Sequence, residues 1–474
     1  MASHLLQALR TVPKSGSAAM FGRPNDWIAV SLLVFLALCP VPLGSNRPFF
    51  WASNVAIVGG MGLLYIALIR GRFRVRLPQR LFRIPSILWL IVVLAMVVQI
   101  IPFGHFGLYI TAVSADGGQI QSSTISLAAG TTILSALRWI SFGLFFLLVV
   151  QIATSRSRAD WMLRAIFFII AAHAAIALLD FAQDGRWLGF LAADAYPGAV
   201  TGTFVNRNSF ASFIVMGIGI GCCMALHTML GTKTESERQT HAFQQLSQLF
   251  CIGTGLFIMM GAIIASQSRM GTVMAVFTVL ASLLLAGLKF RSGAITKFSV
   301  LAAGMTLILL LAIVLVGAGL LGRIDMLGHD TSVRLNLYSQ IIEMIRAKPW
   351  TGYGAGSFEV AYPLYHREPV SPNHWWDKAH STYLSLFAEL GIVVGLLPIV
   401  VVAFFFRHAL QLFLIQDSAW WHAQTALVVI SAVTIHSIFD FSLEIDANAY
   451  QFLAIIGVGI SVASRGKERK MLEG

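Results

Sequence analysis

The chain is poor in charge. Of 474 residues, only 11% are Asp, Glu, Lys or Arg, against about 25% in soluble domains. That shortage excludes a water-facing globule. Cysteine is scarce too. Cys39, Cys222, Cys223 and Cys251 all lie in apolar runs, none at a metal-ligand spacing, so they read as small packing residues. The glycine-rich stretch around Gly352, Gly354 and Gly356 lacks a Walker lysine and follows no strand, which excludes a nucleotide-binding loop. The N-terminal stretch shows no small-residue cleavage site ahead of its first apolar run, so no secretory signal is expected.

What fills the space is hydrocarbon: 57% of the residues are hydrophobic. A bilayer-crossing helix takes about 20 apolar residues. About twelve such segments are read near 27–43, 49–69, 86–103, 129–153, 162–180, 209–230, 247–266, 270–288, 298–320, 381–406, 422–439 and 447–463. The expected fold is an all-α polytopic membrane protein, residues 1–474 forming one membrane domain. Basic residues fall in alternate loops, as in Arg70, Arg72, Arg74, Arg76, Arg80 and Arg83, or in Lys289, Arg291 and Lys297. By the positive-inside rule both termini are cytoplasmic. The net charge of +12 then reflects topology and attraction to anionic lipid headgroups, not nucleic-acid binding.

The opposite face violates that bias at Arg207, Arg269, Arg323 and Arg334, all close to membrane boundaries. Each can be an interfacial Arg that snorkels to lipid phosphates. Together they suggest an electropositive site for a membrane-bound anion, since guanidinium grips phosphate in a fork. Asn206 and Asn208 flank Arg207 at the start of an apolar run, where Asn caps a helix and leaves backbone N–H groups facing an anion.

Most of the remaining polar chemistry lies in one long loop, 321–380. Long loops on a helical scaffold are where function concentrates. Thr331 or Ser332 is expected to cap a helix running to about Ala347, with Val333, Leu337, Ile341 and Ile345 as its apolar stripe. That helix is expected to lie along the membrane surface. Arg334 and Tyr338, four apart, share another of its faces. His366, His374, Asp377 and His380 follow, at spacings that match no helical or zinc-ribbon ligand set, so no metal is expected. His380 sits where the loop re-enters the membrane. There it is either an interfacial His with a backbone partner or a proton acceptor working near neutral pH. His436, Asp440 and Glu444 recur every four residues and are read as one helix face. Either Asp440 fixes the tautomer of His436 or the three are polar glue between helices.

The segment R-L-N-L-Y through K-P-W-T-G-Y-G-A-G-S-F to A-H-S-T-Y-L-S-L-F-A-E-L-G resembles the signature of the O-antigen ligase and Wzy-type polymerase superfamily. G-T-F-V-N-R-N, S-Q-S-R-M-G and H-S-I-F-D-F-S-L-E-I-D-A-N-A agree with it. The resemblance spans most of residues 180–460; the first 180 are similar in hydropathy alone. It implies a GT-C-like fold in the bacterial inner membrane and a periplasmic active site. It implies glycan transfer from undecaprenyl diphosphate to a lipid-linked repeat (polymerase) or to lipid A–core (ligase), with no cofactor or metal. Chain-length regulators and export proteins would be its partners. His380 matches the motif histidine that resembles the base, and Arg207, Arg269 and Arg334 match the diphosphate-holding arginines. Asn206, Asn208, Tyr338, His436 and Asp440 would support them. Ser381 stands where the family often has Asn. The residues lean towards polymerase. The rival from another class, a lipid-linked glycan flippase or transporter, would need an ionisable path through the bilayer, yet Asp180 and His173, the main polar residues of the earlier spans, form no chain.

Overall fold

A computed structural model describes residues 24–69, 79–114, 116–183, 198–230, 235–290, 324–371, 373, 375–415 and 420–473. The helices among them are α1 Pro24–Leu38, α2 Pro48–Ile69, α3 Gln79–Gln99, α4 Ala129–Ile152, α5 Arg156–Ala182, α6 Arg207–Leu230, α7 Glu235–Ala265, α8 Arg269–Lys289, α9 Ile324–Ala347, α10 Phe358–Ala361, α11 Thr382–Leu390, α12 Ile392–Ile415, α13 Trp420–His436 and α14 Asp446–Glu473. A two-stranded ribbon, β1 Ile110–Val113 against β2 Gln119–Ser122, joins α3 to α4 as an antiparallel hairpin.

Eight of these helices are long and apolar enough to cross a bilayer: α2 to α8 and α12. The protein is a multi-pass membrane protein. The expected twelve reduces to eight among the described residues. The expected span at 298–320 lies outside them. The segments near 27–43 and 422–439 form α1 and α13, but with 15 and 17 residues they reach only about 23 and 26 Å at 1.5 Å per residue, short of a hydrocarbon layer of about 30 Å. The segment near 447–463 forms α14, 28 residues long, whose side chains past Ser461 lie outside the described residues, so it does not count among the eight. The single span expected at 381–406 is two helices, α11 and α12, broken at Gly391. Its φ of +78° and the Trp350 carbonyl oxygen 2.3 Å from where a Cβ would sit both demand glycine.

At the centre stands α6, whose apolar window is wholly buried. Its G-I-G-I-G run lets neighbours come close: a Cβ at Gly217 would lie 2.6 Å from Ile170 of α5 and from Met259 of α7. Small residues serve membrane helices this way because close backbone approach replaces the missing hydrophobic drive. Polar braces tie helices together inside the bundle. Arg138 of α4 binds Asp446 of α14 at 2.6 Å. Arg158 of α5 binds Asp26 of α1 at 2.7 Å. His422 of α13 lies 2.8 Å from Asp160 of α5.

The long loop builds a small core of its own on one end of the bundle. Leu337, Ile341 and Ile345 of α9 are buried there with Tyr353, Phe358, Tyr362 and Ala388. The stripe expected to face lipid therefore packs into the loop, because these aromatics offer it a dry surface. The helix also starts earlier than expected. Thr331 and Ser332 lie inside α9, which begins at Ile324, so neither is its cap. Gln99 at the end of α3 pins the loop: its amide donates to the Thr351 and Glu389 carbonyls, both at 2.8 Å, and accepts from Ala355 N–H at 3.1 Å.

Candidate active site

The loop end of the bundle gathers the starts of α6 and α8, the end of α13 and the segment before α11. Asn206 is a working cap. Its side-chain oxygen accepts from the N–H groups of Asn208 at 2.7 Å and Ser209 at 3.4 Å, which makes Arg207 the first residue of α6 and half-buried. Ser268 caps α8 by accepting from Gly271 N–H at 3.1 Å, which makes Arg269 the first residue of α8. The two helix starts are tied together: the Ser268 hydroxyl donates to the Asn208 side-chain oxygen at 2.8 Å. Two capped N-termini, each opening on an arginine, thus stand side by side. Both features favour a bound anion.

Asp440 extends the chain. It accepts from the Asn208 amide at 3.4 Å and from the Ser442 hydroxyl. Its backbone carbonyl takes the Thr382 N–H at 3.1 Å, and the Ser437 carbonyl shares that donor at 3.0 Å. Thr382 opens α11, two residues past His380, so the turn 437–440 holds the His380 segment from one side. The α9 face read from the sequence holds it from the other. Tyr338 donates its hydroxyl to the His380 carbonyl at 2.8 Å, and Arg334 reaches the Phe439 carbonyl at 3.5 Å. His380 adopts φ +51°, an uncommon conformation for a non-glycine residue, and these two anchors over-determine it.

The His380 ring meets Trp376 and Phe441 edge-on, with centroids 5.6 and 5.2 Å away. Its Nδ1 is buried and makes no hydrogen bond among the described residues. Burial pulls its pKa below the ordinary histidine value; Asp440 opposes this, Arg334 adds to it, and Asp377 opposes it weakly. The imidazole is therefore neutral at neutral pH and able to accept a proton.

Two expectations fail here. His436, Asp440 and Glu444 do not share a helix face, because α13 ends at His436 and a turn with a short 3-10 segment, Ser442–Glu444, follows. Nor does Asp440 hold His436 by a hydrogen bond. Its carboxylate is taken by Ser442 and Asn208, while both ring nitrogens of His436 are buried without partners among the described residues. A four-residue spacing persists across a turn as easily as along a helix. His374 lies outside the described residues, as does Arg323. Among those described, no group of three His, Cys, Asp or Glu is placed to hold a metal ion.

The sequence reading overlooked a second polar system. Arg138, in the expected span 129–153, puts its Nε and one terminal nitrogen on Asp446 at 2.9 and 2.6 Å, and that same nitrogen on the Glu444 carbonyl at 2.8 Å. Its guanidinium lies 4.1 Å over Trp51. Lys378 meets Glu444 at 3.3 Å. The available signal was a lone arginine within an apolar run.

The chain is similar in sequence to known proteins over part of its length. Over 124 residues the chain is 27% identical to a general O-oligosaccharyltransferase of Acinetobacter baylyi (strain ATCC 33305 / BD413 / ADP1), a match covering 25% of this chain and 19% of that protein. The chain thus spans about a fifth of the length of the relative it matches. The model of the O-antigen ligase family matches residues 254–400, from α7 through the first turns of α12, a stretch that contains Arg269, Arg334, Tyr338 and His380. The chain carries an O-antigen ligase family domain over residues 254–400.

Proposed function

We propose that the protein transfers a glycan from a polyprenyl diphosphate to a sugar hydroxyl on the loop side of the membrane, and that it is a polysaccharide polymerase. The observation that carries this reading is the hydrogen-bonded line from Ser268 through Asn208 and Asp440 to the His380 segment. It joins two arginine-led helix starts to a neutral imidazole. Charge and base are the two things that displacement at an anomeric carbon requires. His380 takes the proton of the acceptor hydroxyl as its oxygen bonds to the anomeric carbon. The bond from that carbon to the diphosphate oxygen breaks, and its electron pair leaves with the polyprenyl diphosphate. Arg207, Arg269 and Arg334 stabilise the charge that develops there. A single displacement inverts the anomeric centre. The mechanism needs no metal, because guanidinium and helix N-termini supply the positive charge. With the basic loops facing the cytoplasm, the site is periplasmic in an inner membrane.

The name of the matching family favours a second reading, ligation of a finished polymer to lipid A–core. One assay separates the two. Purified protein is given a polyprenyl-diphosphate oligosaccharide with and without lipid A–core, with and without chelator. A polymerase lengthens the glycan without lipid A–core. Product that forms only with lipid A–core, as a single attachment, would replace the polymerase reading. Absence of any glycan transfer would end both.

A further inference from the structure

A cavity of about 700 Å³ lies beside the His380 segment, and neither His380 nor Arg207, Arg269 or Arg334 lines it. Asp377, Lys378, Thr382 and Ser385 do. Thr382 hangs from the Asp440 carbonyl, so the segment carrying His380 is the wall between this cavity and the Ser268–Asn208–Asp440 line. The two ends of the cavity differ in chemistry. Asn46, Arg47, Trp51, Lys378 and Glu444 line one end; Ile399, Val402, Phe406, Ile430 and Leu453 line the other. Phe406 is 14 residues beyond Ile392, the start of α12, or about 21 Å along the axis. The apolar end thus reaches past the midplane of a hydrocarbon layer of about 30 Å.

An occupant must match both ends. The apolar end admits a long hydrocarbon chain. At the polar end the two inner cations are already neutralised, Arg138 by Asp446 and Lys378 by Glu444, and the lining that adds the exposed Arg47 also adds the carboxyl groups of Glu359, Asp377 and Glu389. A second tightly held diphosphate gains little there. Carboxylate, amine and indole side by side suit sugar hydroxyls, which donate and accept at once and stack on aromatic faces.

We infer that this cavity holds the acceptor, an amphiphile with a saccharide head and a long hydrocarbon chain, on the side of His380 opposite the donor diphosphate. The assignment of donor and acceptor rests on the proposed transfer; the amphiphile site does not. His380 then stands between the two substrates, as a base that takes the acceptor proton must.

The full chain in lipid nanodiscs tests this with two photoactivatable probes carrying a diazirine in the hydrocarbon chain: a polyprenyl-diphosphate disaccharide and a diacyl glycolipid with a saccharide head. Labelling of residues 399–406 and 430–435 by either probe is expected, and which probe labels identifies the chain type. Ser431→Trp and Ala403→Trp, both at the cavity wall, should cut that labelling at least tenfold. When the labelling probe serves as acceptor, they should raise its KM about tenfold and leave the donor KM unchanged. Two substitutions on different helices guard against one that fails to fold. No labelling of these segments by either probe, labelling indifferent to both substitutions, or a rise in donor KM instead would overturn the inference. Labelling without any glycan transfer would sink the proposed function and the acceptor assignment, yet keep the amphiphile site.

Discussion

Two buried polar systems stand at the same end of the bundle, built on opposite principles. Around Arg138 the buried charges are paired. Asp446 accepts from Arg138 and, at 3.0 Å, from Asn54, and the guanidinium also serves the Glu444 carbonyl and stacks on Trp51. Around His380 the backbone is held tightly, yet His380 Nδ1 and both nitrogens of His436 lack partners among the described residues. A closed network rigidifies; an open one keeps capacity for something else. Unpartnered buried atoms occur elsewhere among the described residues, as at Gln451 and Trp421. What sets the His380 cluster apart is that its segment is tied through Asp440 and Asn208 to helix starts led by arginine.

The largest effect should come from breaking the closed system. Asp446→Ala strands the Arg138 guanidinium in a buried site, a loss of about 3–5 kcal/mol, a large part of the stability of a typical domain. Little folded protein should be recovered from membranes, as read by size-exclusion profile and thermal melting. Full recovery with normal melting would show that the network is dispensable and that the two polar systems do not differ in their hold on the fold.

The open system should behave in the opposite way. His380→Ala should leave expression and melting near those of the parent chain and lower transfer roughly 10²- to 10⁴-fold, the span for loss of a positioned base. Polymer length on a gel and the initial rate with purified protein both read it. A folded variant with parental activity would remove His380 from the chemistry.

How much of this could be read beforehand depends on how local each signal is. Arg269, His380 and the asparagines around Arg207 stood in compact motifs, and the face shared by Arg334 and Tyr338 followed from helical spacing. Both reach the His380 segment or the turn that holds it. The ion pair of Arg138 with Asp446 joins residues 308 positions apart, which no periodicity connects. The break at Gly391 was invisible to hydropathy because apolar residues continue on both sides. It depends on the Trp350 carbonyl, a tertiary neighbour. The stripe of α9 was identified correctly as apolar; what covered it was not, since lipid and a loop core ask for the same side chains.

A milder substitution probes the anion side. Arg269→Lys keeps the charge but loses the planar fork. With a hydrogen bond to a charged group at about 1.5–3 kcal/mol, transfer should fall roughly 10- to 100-fold, and binding of free polyprenyl diphosphate should weaken in parallel. An unchanged rate with unchanged diphosphate binding would place the donor elsewhere.

The smallest effect is the most specific, because packing alone cannot imitate it. Burial lowers the pKa of His380, Asp440 raises it and Arg334 lowers it. The neutral imidazole is the active form, so transfer should fall as pH drops through that lowered pKa, giving an acid limb below the ordinary histidine value near 6.5. Removing a neighbour moves the limb by the sign of the charge removed. Asp440→Asn takes away an anion that stabilises imidazolium, so the midpoint should shift to lower pH. Arg334→Gln takes away a cation that destabilises it, so the midpoint should shift to higher pH. Both variants are expected to be slower than the parent, so the midpoint carries the test and the absolute rate does not. Shifts in the same direction, or a limb that ignores both substitutions, would mean that the titrating group is not His380.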